Sequence, residues 1–136
     1  MSLRRVSPAE AQQLVDGKGY VYVDVRSVPE FEAGHPTGAY NVPLMHKGPL
    51  GVQPNPDFMP VMEKTFPRDA ALVVGCQSGG RSLRAASVLQ QAGYTNVDDQ
   101  RAGFDGIPGE PGWRPAGLPV STNPTPGRAW DELKER

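Results

Sequence analysis

The chain has 136 residues, enough for one domain with a real core, and its 14 Lys plus Arg against 15 Asp plus Glu leave a net charge of −1. No basic stripe is interleaved with aromatic residues, so no nucleic-acid partner is predicted, and no apolar run approaches the ~20 residues of a membrane span. One cysteine excludes an intramolecular disulfide and a multi-thiolate metal site; with only His35 and His46 besides, no metal is expected.

The start, Met1-Ser2-Leu3-Arg4-Arg5-Val6, has two arginines but no apolar stretch behind them, unlike a signal peptide, so the expected compartment is the cytoplasm. Ser7-Pro8-Ala9-Glu10 reads as a helix start, with Ser as cap, Pro at the first position and Glu at the third; Gly17 is the expected stop. Residues 21–25 are β-rich with little polar alternation, as in a buried parallel strand. Residues 29–34 suggest one helical turn, residues 39–42 a short strand, and Asn55-Pro56-Asp57 the opening of a helix to about Phe66. A second buried strand is predicted over 70–74, a helix over 82–91 and a further strand over 94–98. Fifteen prolines and sixteen glycines concentrate in 43–60 and 103–127, which read as long loops. Residues 1–120 are the predicted domain and 121–136 a C-terminal extension. Its helix over 128–136 puts Trp130 and Leu133 on one face, to dock on the domain or on a partner. Alternating strands and helices predict an α/β fold: a mainly parallel central sheet with helices on both faces. Ligands in such sheets bind beyond the carboxyl ends of the strands, where Asp24 and Cys76 both fall.

The run Cys76-Gln77-Ser78-Gly79-Gly80-Arg81-Ser82 carries the chemistry. A lone cysteine is most often a small buried hydrophobe, but a core cysteine needs no Ser-Gly-Gly-Arg behind it. Two adjacent glycines at a helix start cost backbone entropy and suit a loop that exposes its N–H groups. Those groups, aimed at one spot at a helix N-terminus, favour an anion, and the anionic thiolate is the nucleophilic form of cysteine. Gln77, Ser78, Gly79, Gly80 and Ser82 are the predicted substrate-binding loop around the Cys76 nucleophile, with Arg81 as its fixed cation.

These residues resemble the rhodanese family of sulfurtransferases, over roughly residues 6–120. Two stretches carry the resemblance. The first runs from Val23-Asp24-Val25-Arg26 through Pro29-Glu30-Phe31 and Gly34-His35 to Gly38-Ala39-Tyr40-Asn41-Val42-Pro43-Leu44. The second is Val73-Val74-Gly75 followed by the cysteine loop. The resemblance implies a three-layer rhodanese-like fold and a double displacement. Cys76 takes the outer sulfur of thiosulfate, mercaptopyruvate or a similar donor, and the resulting persulfide passes it to a thiol or to cyanide. No cofactor is implied. A protein acceptor, with the domain as a delivery module of little turnover, is the alternative. Cysteine phosphatases and arsenate reductases rank lower: four residues separate Cys76 from Arg81, and phosphatases on this fold carry one more. The neutral Gln77 stands where thiosulfate-specific members often have a cation, and Trp113 falls later than the family's usual tryptophan.

Around the loop, Asp24 either accepts hydrogen bonds from the loop or Arg81, or caps a turn. Arg26 and Glu30, four apart, are expected to pair weakly at the surface, and the resemblance implies that Arg26 braces the loop. Glu30 and His35 read as structural, and Arg84 as a solvated residue on the helix that follows the loop.

Overall fold

A computed structural model describes residues 3–135; Met1, Ser2 and Arg136 of the predicted terminal segments lie outside the described residues. In chain order the elements are β1 (Arg4–Val6), α1 (Pro8–Lys18), β2 (Val21–Asp24), α2 (Val28–Ala33), β3 (His35–Pro36), β4 (Tyr40–Asn41), β5 (Met45–Gly48) and β6 (Gly51–Pro54). There follow α3 (Phe58–Thr65), β7 (Ala71–Gly75), α4 (Gly80–Gln91), β8 (Asn96–Gln100), β9 (Gly106–Ile107), β10 (Glu110–Pro111), β11 (Val120–Ser121) and α5 (Trp130–Lys134).

Five strands form one parallel sheet in the order β1-β8-β7-β2-β4. Both faces are covered, which explains why β2 and β7 read as unbroken apolar runs. On one face α3, α4 and α5 bury Val23, Leu72, Val74, Met62, Leu89, Trp130 and Leu133. On the other, α1 and α2 bring Ala11 and Phe31 against Tyr22, Val73, Phe104 and Trp113. The fold is therefore the three-layer α/β arrangement, with its central sheet parallel throughout.

The Ser7 cap forms as read: Glu10 N donates to Ser7 Oγ at 3.1 Å and Ser7 N to Glu10 Oε1 at 2.9 Å. The helix runs past Gly17 to Lys18, because the left-handed cap is Gly19, at φ 71°. The strand expected over 94–98 begins at Asn96: Tyr94 is held in the core, its hydroxyl donating to the carbonyls of Met62 and Phe66 at 3.1 and 2.8 Å. Residues 43–60 are more ordered than a loop, since β5 and β6 form an antiparallel hairpin. The tail docks on its own domain. Trp130 and Leu133 are buried in the core, and β11 pairs with β3. The Arg128 guanidinium lies 4.8 Å from the Tyr40 ring centroid and donates to Gly38 O at 2.8 Å. No helix is long and apolar enough to cross a membrane among the described residues.

Candidate active site

The carboxyl edge of the sheet brings Asp24 and the cysteine loop together, because Asp24 lies opposite Gly75 in the β2–β7 ladder. Cys76 follows β7 directly and is 2% exposed. The chain then turns back on itself, and Gly79 N donates to Cys76 Sγ at 3.1 Å. Gly79, at φ 91°, caps α4, whose first-turn N–H groups have no intrahelical acceptor. Cys76 Sγ lies 3.5 Å from Ser82 Oγ, which donates in turn to Gly79 O at 3.3 Å. Gln77 is half-buried at the loop's edge, and Ser78 and Gly80 are exposed.

The segment after β8 holds the loop from behind. Phe104 N donates to Cys76 O at 2.7 Å and Asp105 N to Gln77 O at 3.0 Å. The approach is close enough that a Cβ on Gly103 would stand 2.3 Å from Gln77 O, and one on Gly79 would stand 2.3 Å from Arg101 O. Both positions therefore require glycine for space as well as for their positive φ.

The charged residues divide differently from the sequence reading. Arg81 does not bond to Asp24; its guanidinium forms a two-pronged pair with Glu30, at 2.7 and 3.0 Å. Lys47 of the β5–β6 hairpin reaches the same carboxylate at 3.4 Å. Burial opposes ionisation of Glu30, but hydrogen bonds from Arg81 and from Ser27 overcome it and hold the carboxyl at about 2. That pairing with Glu30 raises Arg81, with smaller contributions from the nearby Cys76 sulfur and Asp24. The weak surface pair of Arg26 and Glu30 does not form. Arg26 is 4% exposed and grips Asp24 through contacts of 2.8–3.1 Å. It also donates to Gly34 O at 2.6 Å and lies 4.3 Å from the Phe104 ring centroid. Asp24 and Arg26 thus lock the strand end and the 34 and 104 turns to one another, and Arg81 joins α4 to α2 through Glu30. A buried charge pair of this geometry is costly to break on one side.

Trp113 does not reach the loop. It packs edge-on to Tyr22 at 5.3 Å and donates to Pro119 O at 2.7 Å. His35, fully buried, stacks on Phe31 and donates from Nδ1 to Phe31 O at 2.8 Å. Arg84 is exposed on α4. One contributor was missed by the sequence reading: Glu30 was read as structural without Arg81 as its partner.

Fold and site define an α/β domain whose one cysteine sits on an anion-favouring loop at the sheet's carboxyl edge. The Rhodanese-like domain model matches residues 7–108, and the chain belongs to that family. It is 43% identical over 102 residues to thiosulfate sulfurtransferase 16, chloroplastic, of Arabidopsis thaliana, covering 75% of this chain and 80% of that protein. It is 39% identical to the senescence-associated protein DIN1 of Raphanus sativus over 75% of this chain, but spans only 52% of that protein's length. Among solved structures, Rv0390 from M. tuberculosis superposes with a TM-score of 0.75 at 28% identity, over 90% of this chain and 100% of that one. These likenesses support sulfur transfer in general.

Proposed function

We propose that the protein moves sulfane sulfur from thiosulfate, 3-mercaptopyruvate or a similar donor to a thiol or to cyanide, through a persulfide on Cys76. The observation that carries the reading is the seat of Cys76 Sγ, 3.1 Å from the Gly79 amide at a helix start. An N–H bond to a charged sulfur contributes about 1.5–3 kcal/mol, which favours the Cys76 thiolate that attacks the donor. Attack on the donor's outer sulfur forms the Cys76 S–S bond and breaks the donor's own bond to that sulfur, expelling sulfite from thiosulfate or, from 3-mercaptopyruvate, the pyruvate enolate, which takes a proton from water. The acceptor then attacks that outer sulfur and Cys76 leaves as thiolate. Gln77, Ser78, Gly80 and Ser82 line the loop that holds the anion, and Arg81 fixes the loop through Glu30. The cytoplasm is the proposed compartment.

Intact-mass measurement after each donor is expected to find one added sulfur on the native chain and none on Cys76→Ser. Sulfur uptake by Cys76→Ser would overturn the assignment of the nucleophile. A delivery role is favoured by one feature, the neutral Gln77 where a dianionic donor would benefit from a cation. Turnover with a thiol acceptor but not with cyanide would support that second reading.

A further inference from the structure

The β5–β6 hairpin is a sheet of its own, and it springs from the carboxyl end of β2. Val42 N donates to Asp24 O and Leu44 N to Val25 O, each at 3.1 Å, and Asp24 stands opposite Gly75, the residue before Cys76. From the hairpin Lys47 reaches Glu30, the carboxylate that also takes the Arg81 guanidinium. Arg81 lies in the chain between Gly79 and Ser82, which contact Cys76 Sγ at 3.1 and 3.5 Å. One carboxylate thus separates Lys47 from the loop that encloses the sulfur.

Glu30 has little left for Lys47. Its Oε1 accepts from Arg81 Nη1 at 2.7 Å, from Ser27 Oγ at 2.8 Å and from Ser27 N at 3.1 Å, and its Oε2 accepts from Arg81 Nη2 at 3.0 Å. The Lys47 ammonium stands 3.4 Å from Oε1, beyond the usual N–H···O range of about 2.7–3.2 Å, and its side chain is 46% exposed. One carboxylate faces two cations, so a positive charge is left over, and it sits on a flexible four-carbon stem. Arg26 is engaged by Asp24 and Arg5 by Asp99.

We propose that Lys47 selects anionic sulfur donors by holding the end of the donor that Cys76 does not attack; the proposal rests on Cys76 being the sulfur carrier. Thiosulfate presents its outer sulfur to Cys76 and its charged oxygens to the mouth of the loop, and 3-mercaptopyruvate presents its carboxylate there. The neutral Gln77 offers these oxygens no charge. Lys47 supplies it: the ammonium leaves its 3.4 Å contact and moves onto the donor, while Arg81 keeps Glu30 neutralised and the loop fixed. No bond to Lys47 forms or breaks. Because Lys47 holds the donor equally before and during the attack, it acts on the apparent KM and not on the limiting rate.

The test compares alkylation of Cys76 by iodoacetate, an anion, with alkylation by iodoacetamide, its neutral counterpart, each followed by intact mass at low ionic strength. Neither reagent is a sulfur donor. Both require the same thiolate in the same pocket, so the ratio of their rates cancels those terms and reads the charge at the mouth. Lys47→Gln is expected to lower the ratio about fivefold, with the difference shrinking as salt rises, and Lys47→Glu is expected to lower it further. Lys47→Arg is expected to hold it within about twofold of native. Lys18→Gln removes the same charge from the exposed end of α1 and is expected to leave the ratio unchanged. With thiosulfate as donor, Lys47→Gln is expected to raise the apparent KM for loading by more than the ratio falls, because a dianion feels twice the Coulomb energy, at an unchanged limiting rate. A ratio within about twofold of native in Lys47→Gln, or an equal fall in Lys18→Gln, overturns the subsite. An unchanged KM for thiosulfate beside a lowered ratio overturns the role in donor selection. If no donor adds sulfur to Cys76 while the ratio falls as expected, the sulfur-transfer reading has failed and the anion subsite stands.

Discussion

Gly103→Ala is the sharpest perturbation of the loop that leaves every site side chain in place. Gly103 has φ 70°, where an alanine costs about 1–2 kcal/mol. The new Cβ would also stand 2.3 Å from Gln77 O and 2.7 Å from Ser78 N, and ordinary contact begins at 3.4 Å. The Gln77 peptide must therefore retreat by about 1 Å, and Cys76 is bonded directly to it. A displacement of ~1 Å at a reacting atom costs on the order of 10²-fold in rate. Gly19→Ala is the matched control: its φ is 71°, and nothing lies within 4 Å of a Cβ there. Both variants are expected to lose the same backbone term in a thermal melt, with Gly103→Ala losing more through the contacts of Phe104 and Asp105 with the loop. Only Gly103→Ala is expected to slow persulfide formation, about 100-fold, measured as added mass against time on samples of equal folded fraction. Loading of Gly103→Ala within threefold of the native rate would refute the claim that the 103–105 turn positions the nucleophile.

Glu30 has a folded-state pKa held near 2 against an ordinary 4.5, so its stabilising contribution is complete above about pH 4.5 and is lost as pH falls toward 2. After allowance for solvent screening this is about 1–2 kcal/mol. Urea unfolding of native and Glu30→Gln proteins is expected to differ at pH 7 and to converge near pH 2; a constant difference would contradict the Arg81 pairing. Trp130→Ala, in the α3–α5 side of the core, is expected to cost about 3–5 kcal/mol in the same assay, and a loss below about 1 kcal/mol would mean that α5 docks only loosely. Gln77→Lys is expected to lower the apparent KM for thiosulfate at low ionic strength, with the gain shrinking as salt rises; an unchanged KM at low salt would place Gln77 off the donor's path.

Local chemistry made much of this legible in the chain. Ser7, Pro8 and Glu10 name a helix start within four residues, and the cysteine loop, with the apolar strand before it and the helix after it, is a continuous run. Asp24 was placed correctly at a strand end because strand and terminus are adjacent in sequence. What stayed hidden was pairing at a distance. Glu30 and Arg81 are 51 residues apart, and nothing near either one names the other, so Asp24 was offered as one possible partner of Arg81 and Glu30 was not. The short strand β1 was concealed by Arg4 and Arg5, which suit an edge strand whose charges meet Asp98 and Asp99. Asp99 itself left a faint signal: it lies two residues beyond the buried Val97, and a strand returns to the same face every second residue.

The edge position of β1 has a consequence for how the chain is made. Among the described residues this strand pairs with β8 alone, Arg5 opposite Asp99, so during synthesis β1 waits 94 residues for its neighbour. At 5–20 residues per second that wait is about 5–20 s, far longer than a helix needs to form. Cys76 emerges within this interval, before β8 has closed the sheet behind it and before Trp130 has sealed the face beneath. The nascent protein therefore passes through a stage in which its thiol is already synthesised while the wall that will confine it is not. Quality control that recognises exposed sulfur or unpaired strand edges would find this chain at that stage and lose sight of it once β8 is in place.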